Sequence, residues 1–331
     1  MLYSDLMSRT TTTTKPKPKA TPVQLTTKPG TPLVWSEHYG MFVVNLTWYD
    51  WVFANSSAGK DSQAMLDFLV DLAIEQDCLD KLIVLHCDLG RIEWEGTREL
   101  AERQAQHYGL RFEVVRNGSH ADLLARIAKR GQFPGRTTRY CTSEFKTGQA
   151  RTLATRVVNE SRATGTIAQG TQVRILNCLG LRAEESTERA NKDAYKHHPQ
   201  YQLDKAGERQ DGNGWTNTKR WTDEWLPIHG WTEADVWVRI EASGVEHHPV
   251  YDMGMPRLSC SFCPLASFSA NVKAATLRPE LAQEYADLEA KFMAVSPRGK
   301  YSDKFTMADV IEAANRAQAE AKPISVEDWA A

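Results

Sequence analysis

Ser57-Ala58-Gly59-Lys60-Asp61-Ser62 follows the apolar run Trp51-Val52-Phe53-Ala54 and precedes the helix-patterned stretch Gln63-Ala64-Met65-Leu66-Asp67-Phe68-Leu69. A strand, a loop of small residues and a helix start, in that order, build an anion site. Small side chains let backbone N–H groups approach a phosphate, the helix N-terminus adds partial positive charge and a lysine adds a full one. Ser62 suits the helix cap, and Asp61 either adds acid to the first turn or holds a metal. The same residues would also serve as a plain glycine-containing turn at the head of a helix.

The chain around this loop alternates between two periods. Phe42 to Ala54 reads as one strand or two short ones, and Asp61 to about Gln76 as a helix. Lys81–Cys87 is the near-continuous apolar run of a strand buried on both faces. Helical spacing returns over 97–108, 121–129 and 146–158, with strands at Arg111–Val115 and Val173–Leu179. Such alternation predicts an α/β fold, a parallel twisted sheet with helices on both faces, followed by a C-terminal helical extension. A sheet of this kind binds ligands beyond the carboxyl ends of its strands, which lines up Ser57–Ser62, Asp88-Leu89-Gly90 and Gly180-Leu181-Arg182 on one rim.

Three domains are expected: a Thr/Lys/Pro-rich tail at 1–38, disordered because it cannot bury a core; a nucleotide-binding domain at 39–265; and helices over 266–331, at 279–293 and 307–321. Within the second, residues 190–220 lack periodicity and read as an inserted loop or lid. Thr232 with Asp235 predicts a capped helix over 232–242. A net charge of -2 argues against a protein that coats nucleic acid. Six cysteines in 331 residues, with no leader-like segment, point to thiols or metal ligands in a reducing cytoplasm rather than to a disulfide framework. No apolar run approaches the length of a membrane span.

Further candidates surround the loop. Asp88 and Gly90 suit a ribose or adenine contact, with Glu93 and Glu95 nearby; the bland alternative is an Asp-Leu-Gly turn. From Arg126 to Arg156 the basic residues Arg126, Lys129, Arg130, Arg136, Arg139, Lys146, Arg151 and Arg156 face a single acid, Glu144. Arg136, Arg139 and Lys146 flank the lone Cys141, as an oxyanion site would require, although a solvated helix face gives the same count. Arg182 and Arg189 can clamp a pyrophosphate while Glu184 or Glu185 holds Mg²⁺; an ion-paired helix start is the alternative. Cys260-Ser261-Phe262-Cys263 offers two thiolates that can share a cluster or a zinc ion, with Cys141 and then Cys178 as further ligands and His247, His248 or a non-protein ligand as other options. A redox dithiol or unrelated core cysteines remain open for the same pair. Cys78 and Cys87 read as buried bystanders.

Taken together these residues carry a resemblance. Ser-x-Gly-Lys-Asp-Ser resembles the PP-loop of the ATP pyrophosphatases; it is not a Walker A loop, because Lys60 is followed by Asp61 and no glycine stands at position 54. With Asp88–Gly90, Arg139-Tyr140-Cys141-Thr142 and Lys146, Gly180–Ser186, Trp225-Leu226-Pro227-Ile228, Trp231–Trp237 and Arg257–Cys263, the order of motifs resembles the phosphoadenosine phosphosulfate (PAPS) reductase family of the adenine nucleotide α-hydrolase group. The resemblance implies an adenine nucleotide at Ser57, Ala58, Gly59, Lys60, Asp61, Ser62, Asp88, Gly90, Arg139, Lys146, Gly180, Arg182 and Arg189. It implies catalytic roles for Lys60, Asp61, Cys141 and Arg182, and in several branches a [4Fe–4S] cluster, here on Cys141, Cys260, Cys263 and conceivably Cys178. Two departures bear on the branch. Sulfonucleotide reductases use a C-terminal cysteine, whereas none follows Cys263 here, and their cluster-bearing members use an adjacent cysteine pair where this chain has Cys141 alone. The Lys-Asp-Ser of the loop is what ATP-hydrolysing members keep.

The leading expectation is therefore an enzyme that uses ATP and Mg²⁺ to adenylate a substrate for sulfur transfer, with an unidentified sulfur donor and electron donor. The tRNA thiolases and the DNA phosphorothioation sulfurtransferase are its functional models. Nucleic acid is a possible acceptor through Lys192, Lys196, His197, His198, Lys205 and Arg209. A reductase forming sulfite from PAPS or APS is the second expectation, and a nucleotide-binding scaffold without turnover the third.

Overall fold

The computed structural model describes residues 32–203 and 209–320. In chain order its first half runs β1 (Leu33–Ser36), β2 (Met41–Val44), β3 (Trp51–Asn55), α1 (Lys60–Glu75), β4 (Leu82–Asp88), α2 (Thr97–His107), β5 (Arg111–Arg116), α3 (Leu123–Arg130) and α4 (Gly148–Ala163). The second runs β6 (Val173–Cys178), β7 (Tyr195–His197), β8 (Tyr201–Leu203), β9 (Arg209–Asp211), β10 (Arg220–Trp225), α5 (Glu233–Ser243), α6 (Phe268–Leu277), α7 (Pro279–Met293) and α8 (Met307–Glu320). The described residues fall into two compact units: those up to Asp88, with those of Gly96–Arg116 and Lys146–His248, form the first, and Leu89–Glu95, Asn117–Phe145 and those from Pro249 onward the second.

The first unit is built on a six-stranded sheet in the order β5-β4-β3-β6-β10-β7. Its first five strands are parallel, and β7 closes the edge antiparallel to β10. Successive strand residues point to opposite faces, so each strand feeds two cores. Val52, Ala54, Leu82, Val84 and Leu176 pack with α1 and α5, while Phe53, Ile83, Leu85 and Ile175 pack with α4. Burying a side chain of this size stabilises by roughly 1.5–3 kcal/mol. That double burial is why β4 reads as an unbroken apolar run, and it gives the expected α/β sheet with helices on both faces.

Helix ends obey local chemistry. Thr232 and Asp235 form a reciprocal capping box at α5, which stops at Gly244 in the left-handed region. Asp122 caps α3 by accepting from the N–H of Ala125 at 2.7 Å.

Several elements differ from the sequence reading. The tail expected at 1–38 lies outside the described residues up to position 31, and its last part carries β1, paired with β2. Residues 190–220 are not structureless: they supply β7 and the β8–β9 pair. Strand β7 is three residues long, Tyr195-Lys196-His197, so no apolar run announces it. Here a polar node holds it: Asp223 of β10, almost fully buried, accepts from the hydroxyls of Tyr49 and Tyr195 at 2.7 Å each and meets His197 Nδ1 at 2.7 Å. The helix expected from residue 146 begins at Gly148, after a π-turn over Ser143–Thr147.

The second unit gathers α3, α6, α7 and α8 around one core that includes Leu124, Ile127, Phe133, Phe262, Tyr285, Phe292 and Tyr301. Helix α6 was not expected. Glu289 is buried in α7, where it accepts from the N–H groups of Tyr301 at 2.7 Å and Met307 at 2.6 Å, the latter at the positive end of α8. Gly90 also belongs here: its φ is +77°, and an added Cβ would meet Asp122 Cβ at 2.3 Å.

Candidate active site

The loop after β3 stands at the carboxyl edge of the sheet. Ser56 donates its N–H to Leu85 O at 2.8 Å, which ties the loop's start to β4. Its hydroxyl accepts from the N–H of Ala58 at 3.1 Å, and Ala58 takes a φ of +54°, a left-handed turn that costs a non-glycine residue energy. Gly59 then caps α1 with extended geometry and no side-chain bond. Ser62 bonds back into the loop, donating to Gly59 O at 2.9 Å and accepting from the N–H of Ser57 at 3.2 Å. Gly180, just beyond β6, approaches so closely that a Cβ would lie 2.9 Å from Asp61 O and 3.0 Å from Ser62 N.

Charges converge on this turn. The ammonium of Lys60 is 4 % exposed and lies 3.8 Å from Asp61 and 3.6 Å from Glu233. The guanidinium of Arg182 is equally buried and donates Nε to Asp61 Oδ1 at 2.6 Å, with Nη1 bonded to Glu184 and Nη2 3.8 Å from Glu233. Burial works against the Arg182 charge, yet the bond and charge of Asp61, then Glu184, more than offset it and hold its pKa above the usual arginine value. Glu185 links the two arginines: it accepts from the N–H of Arg182 at 3.1 Å and pairs with Arg189. Glu184 and Glu185, expected as magnesium ligands, are thus engaged with arginine. The arrangement is two inward-facing cations and an amide-lined turn, able to hold oxyanions at the first turn of α1.

The remaining sequence candidates fall as follows. Asp88 ends β4, is buried, and accepts from Arg116 Nε at 3.1 Å. Lys146 is exposed and belongs to the first unit. Gly90, Arg139, Cys141, Cys260 and Cys263 all belong to the second unit. The basic run disperses: Arg126 makes a two-pronged pair with Glu144 at 2.7 and 2.9 Å, Arg130 stacks over Tyr140 at 4.6 Å, and Arg156 pairs with Glu113. Arg126 holds the Glu144 carboxyl below its usual range.

The six cysteines form no disulfide. Cys141 and Cys260 border the core of the second unit, where burial pushes the phenols of Tyr285 and Tyr301 well up. Arg278 steadies the Cys-x-x-Cys loop by donating to Ser261 Oγ at 2.7 Å and to the carbonyls of Glu93 and Arg91 at 2.6 and 2.9 Å. Yet among the described residues no three His, Cys, Asp or Glu side chains are gathered so as to hold a metal ion. The thiol chemistry suits a soft metal, but the three donors are not assembled, so the set does not fit a cluster as it stands. Cys178 drops out as a ligand: it has no exposure, packs in the apolar core at the end of β6, and burial pushes its thiol well up.

Sequence reasoning missed Glu233, noted only within the Trp231–Trp237 motif, and Asn55, whose amide donates to Asn177 Oδ1 at 2.8 Å and Cys178 O at 2.9 Å beneath the loop.

Residues 52–266 match the phosphoadenosine phosphosulfate reductase domain model, well over half of the chain, and the protein belongs to that family. It is 25% identical over 238 residues to an uncharacterized protein of Methanocaldococcus jannaschii, a match covering 71% of this chain and 47% of the relative, so the chain spans about half the length of the curated relative it matches. Among solved structures it is similar to the PAPS reductase of Candida auris in a phosphate complex (13% identity, TM-score 0.35, 63% of this chain and 80% of that one). It is also similar to the U34-tRNA thiolase NcsA of Methanococcus maripaludis with its [4Fe-4S] cluster (13% identity, TM-score 0.32, 83% and 74%). No helix among the described residues is long and apolar enough to cross a membrane.

Proposed function

We propose that this chain is a PP-loop enzyme that cleaves ATP between the α and β phosphates to adenylate a substrate for sulfur transfer. The convergence of Lys60 and Arg182 on the first turn of α1 carries the reading. In the proposed reaction a substrate oxygen attacks the α phosphorus, the bond to the bridging oxygen breaks, and pyrophosphate leaves. Negative charge accumulates on the departing group, and buried cations held by their own carboxylates meet it without reorganising. The loop amides and Ser62 hold the outer phosphates, and Asp61 fixes the direction of Arg182. Mg²⁺ arriving with the nucleotide supplies further charge neutralisation. The terminal sulfur of a persulfide donor then displaces AMP from the activated substrate, and a two-electron thiol reductant cleaves the resulting substrate–donor disulfide, releasing the thiolated substrate and the donor's thiol. The thiols of Cys141, Cys260 and Cys263, which the family resemblance offers for a [4Fe–4S] cluster, are not gathered here, and the proposed chemistry rests on the nucleotide end alone. Six cysteines without a disulfide suit a reducing cytoplasm.

Incubation with ATP, magnesium and candidate acceptors, including tRNA, is expected to release pyrophosphate, and Lys60→Ala to abolish the release. Orthophosphate alone, or no product with any acceptor, would overturn the proposal. A second reading, reduction of PAPS or APS to sulfite, is favoured by the description of the matched family itself. Release of sulfite from PAPS in the presence of thioredoxin would decide for it.

A further inference from the structure

One carboxylate at the loop does something the others do not. Asp61 and Glu184 hold Arg182 through direct hydrogen bonds, whereas Glu233 touches neither cation at hydrogen-bond distance. Its two oxygens instead span both cations, Oε1 at 3.6 Å from Lys60 Nζ and Oε2 at 3.8 Å from Arg182 Nη2. The cations are 4 % and 3 % exposed, so they cannot turn away; the Glu233 side chain is 52 % exposed, so it lies on their solvent side. Its backbone is pinned. Glu233 is the first residue of α5, inside the Thr232–Asp235 capping box, and donates its N–H to Glu184 Oε2 at 2.8 Å. Only the side chain can swing.

We propose that Glu233 is a built-in competitor for the phosphate site, a carboxylate that an incoming oxyanion must displace from Lys60 and Arg182. This rests on the reading of the loop as a phosphate site. An exposed, non-hydrogen-bonded ion pair contributes little stability, so its displacement costs little. A polyphosphate replaces it with several charge-assisted hydrogen bonds, whereas a weakly bound single anion gains too little to do so. Glu233 thereby keeps two buried cations partnered and biases the loop toward ligands carrying linked phosphates.

Calorimetric titration of the full chain with inorganic pyrophosphate tests this, comparing wild type, Glu233→Gln, Glu233→Asp and, as a charge-matched control on the exposed face of the same helix, Glu241→Gln. Neutralising Glu233 is expected to tighten pyrophosphate binding about three- to tenfold, and Glu241→Gln to leave it unchanged. Glu233→Asp, which withdraws the carboxylate by one methylene and keeps the charge at the helix start, is expected to fall between. Equal or weaker binding by Glu233→Gln at an unchanged melting temperature overturns the proposal, as does equal tightening by Glu241→Gln. Should Glu233→Gln fold poorly, Glu233→Asp binding no tighter than wild type has the same force. A wild-type chain that binds neither pyrophosphate nor ATP would instead overturn the phosphate-site reading itself.

Discussion

Arg182 donates its Nε to Asp61 Oδ1 at 2.6 Å, joining the segment after β6 to the first turn of α1 across 121 residues of sequence. The bond aims the guanidinium along the loop rather than away from it. A lysine at this position keeps the charge but not the fork that also reaches Glu184 and Trp231 O. Arg182→Lys is therefore expected to lower pyrophosphate-releasing turnover by about 10²–10³-fold, as loss of one preorganised donor does. Steady-state kinetics check it, and a loss under fivefold would remove Arg182 from the charge-stabilising role.

Gly180 is constrained by contact rather than by backbone angle. A methyl group there would press on Asp61 O and Ser62 N at 2.9 and 3.0 Å. Gly180→Ala should destabilise the first unit by about 1–3 kcal/mol, the usual range for overpacking, and weaken ATP binding by displacing the turn. Unchanged denaturation and affinity would show that the turn yields freely.

Arg239 on α5 is fully buried against α1, paired with Asp67 and Asp71, while Tyr108 donates to Asp67 Oδ1 at 2.7 Å. Removing one partner from such a network leaves a buried charge without compensation. Arg239→Ala is expected to cost about 3–5 kcal/mol by urea denaturation. Because α5 carries Glu233, the variant should also disturb the phosphate site; a loss below 1 kcal/mol would contradict the assigned role.

Burial is the main cause that pushes the Cys78 thiol from its ordinary 9.0 up to about 11. The folded chain then keeps a proton that the unfolded chain releases. Stability from this group is present below pH 9, falls as pH rises, and is gone above about 11. Burial also raises the phenols of Tyr39, Tyr49 and Tyr108 far above their ordinary 10.0, so they add to the loss from about pH 10 upward. The urea midpoint should decline across pH 9–11, and the decline should be shallower in Cys78→Ala. Parallel curves for the two proteins would refute the assignment.

What could be read from the chain alone was local. Apolar runs located β3, β4, β5 and β6, and helical spacing most helices, because each element buries apolar residues that are contiguous or regularly spaced along its own stretch of chain. The loop Ser57–Ser62 was legible for the same reason: a strand end, a run of small residues, a helix start and a lysine stand contiguous there. So was the Thr232–Asp235 cap, which closes within one turn.

Tertiary structure decided what depends on residues far apart. Edge strand β7 has no apolar stripe and is specified by Asp223, which joins it to Tyr49. The Arg239 network and the placing of Glu233 before Lys60 likewise join segments well over a hundred residues apart. The cysteines make the point most sharply: spacing proposed Cys260 and Cys263, with Cys141 and Cys178 as candidate partners, whereas folding sealed Cys178 in one unit's core and set the other three in the second unit without gathering them. Spacing in sequence constrains only what one helix or turn can bring together; the rest is set by which distant surfaces bury each other.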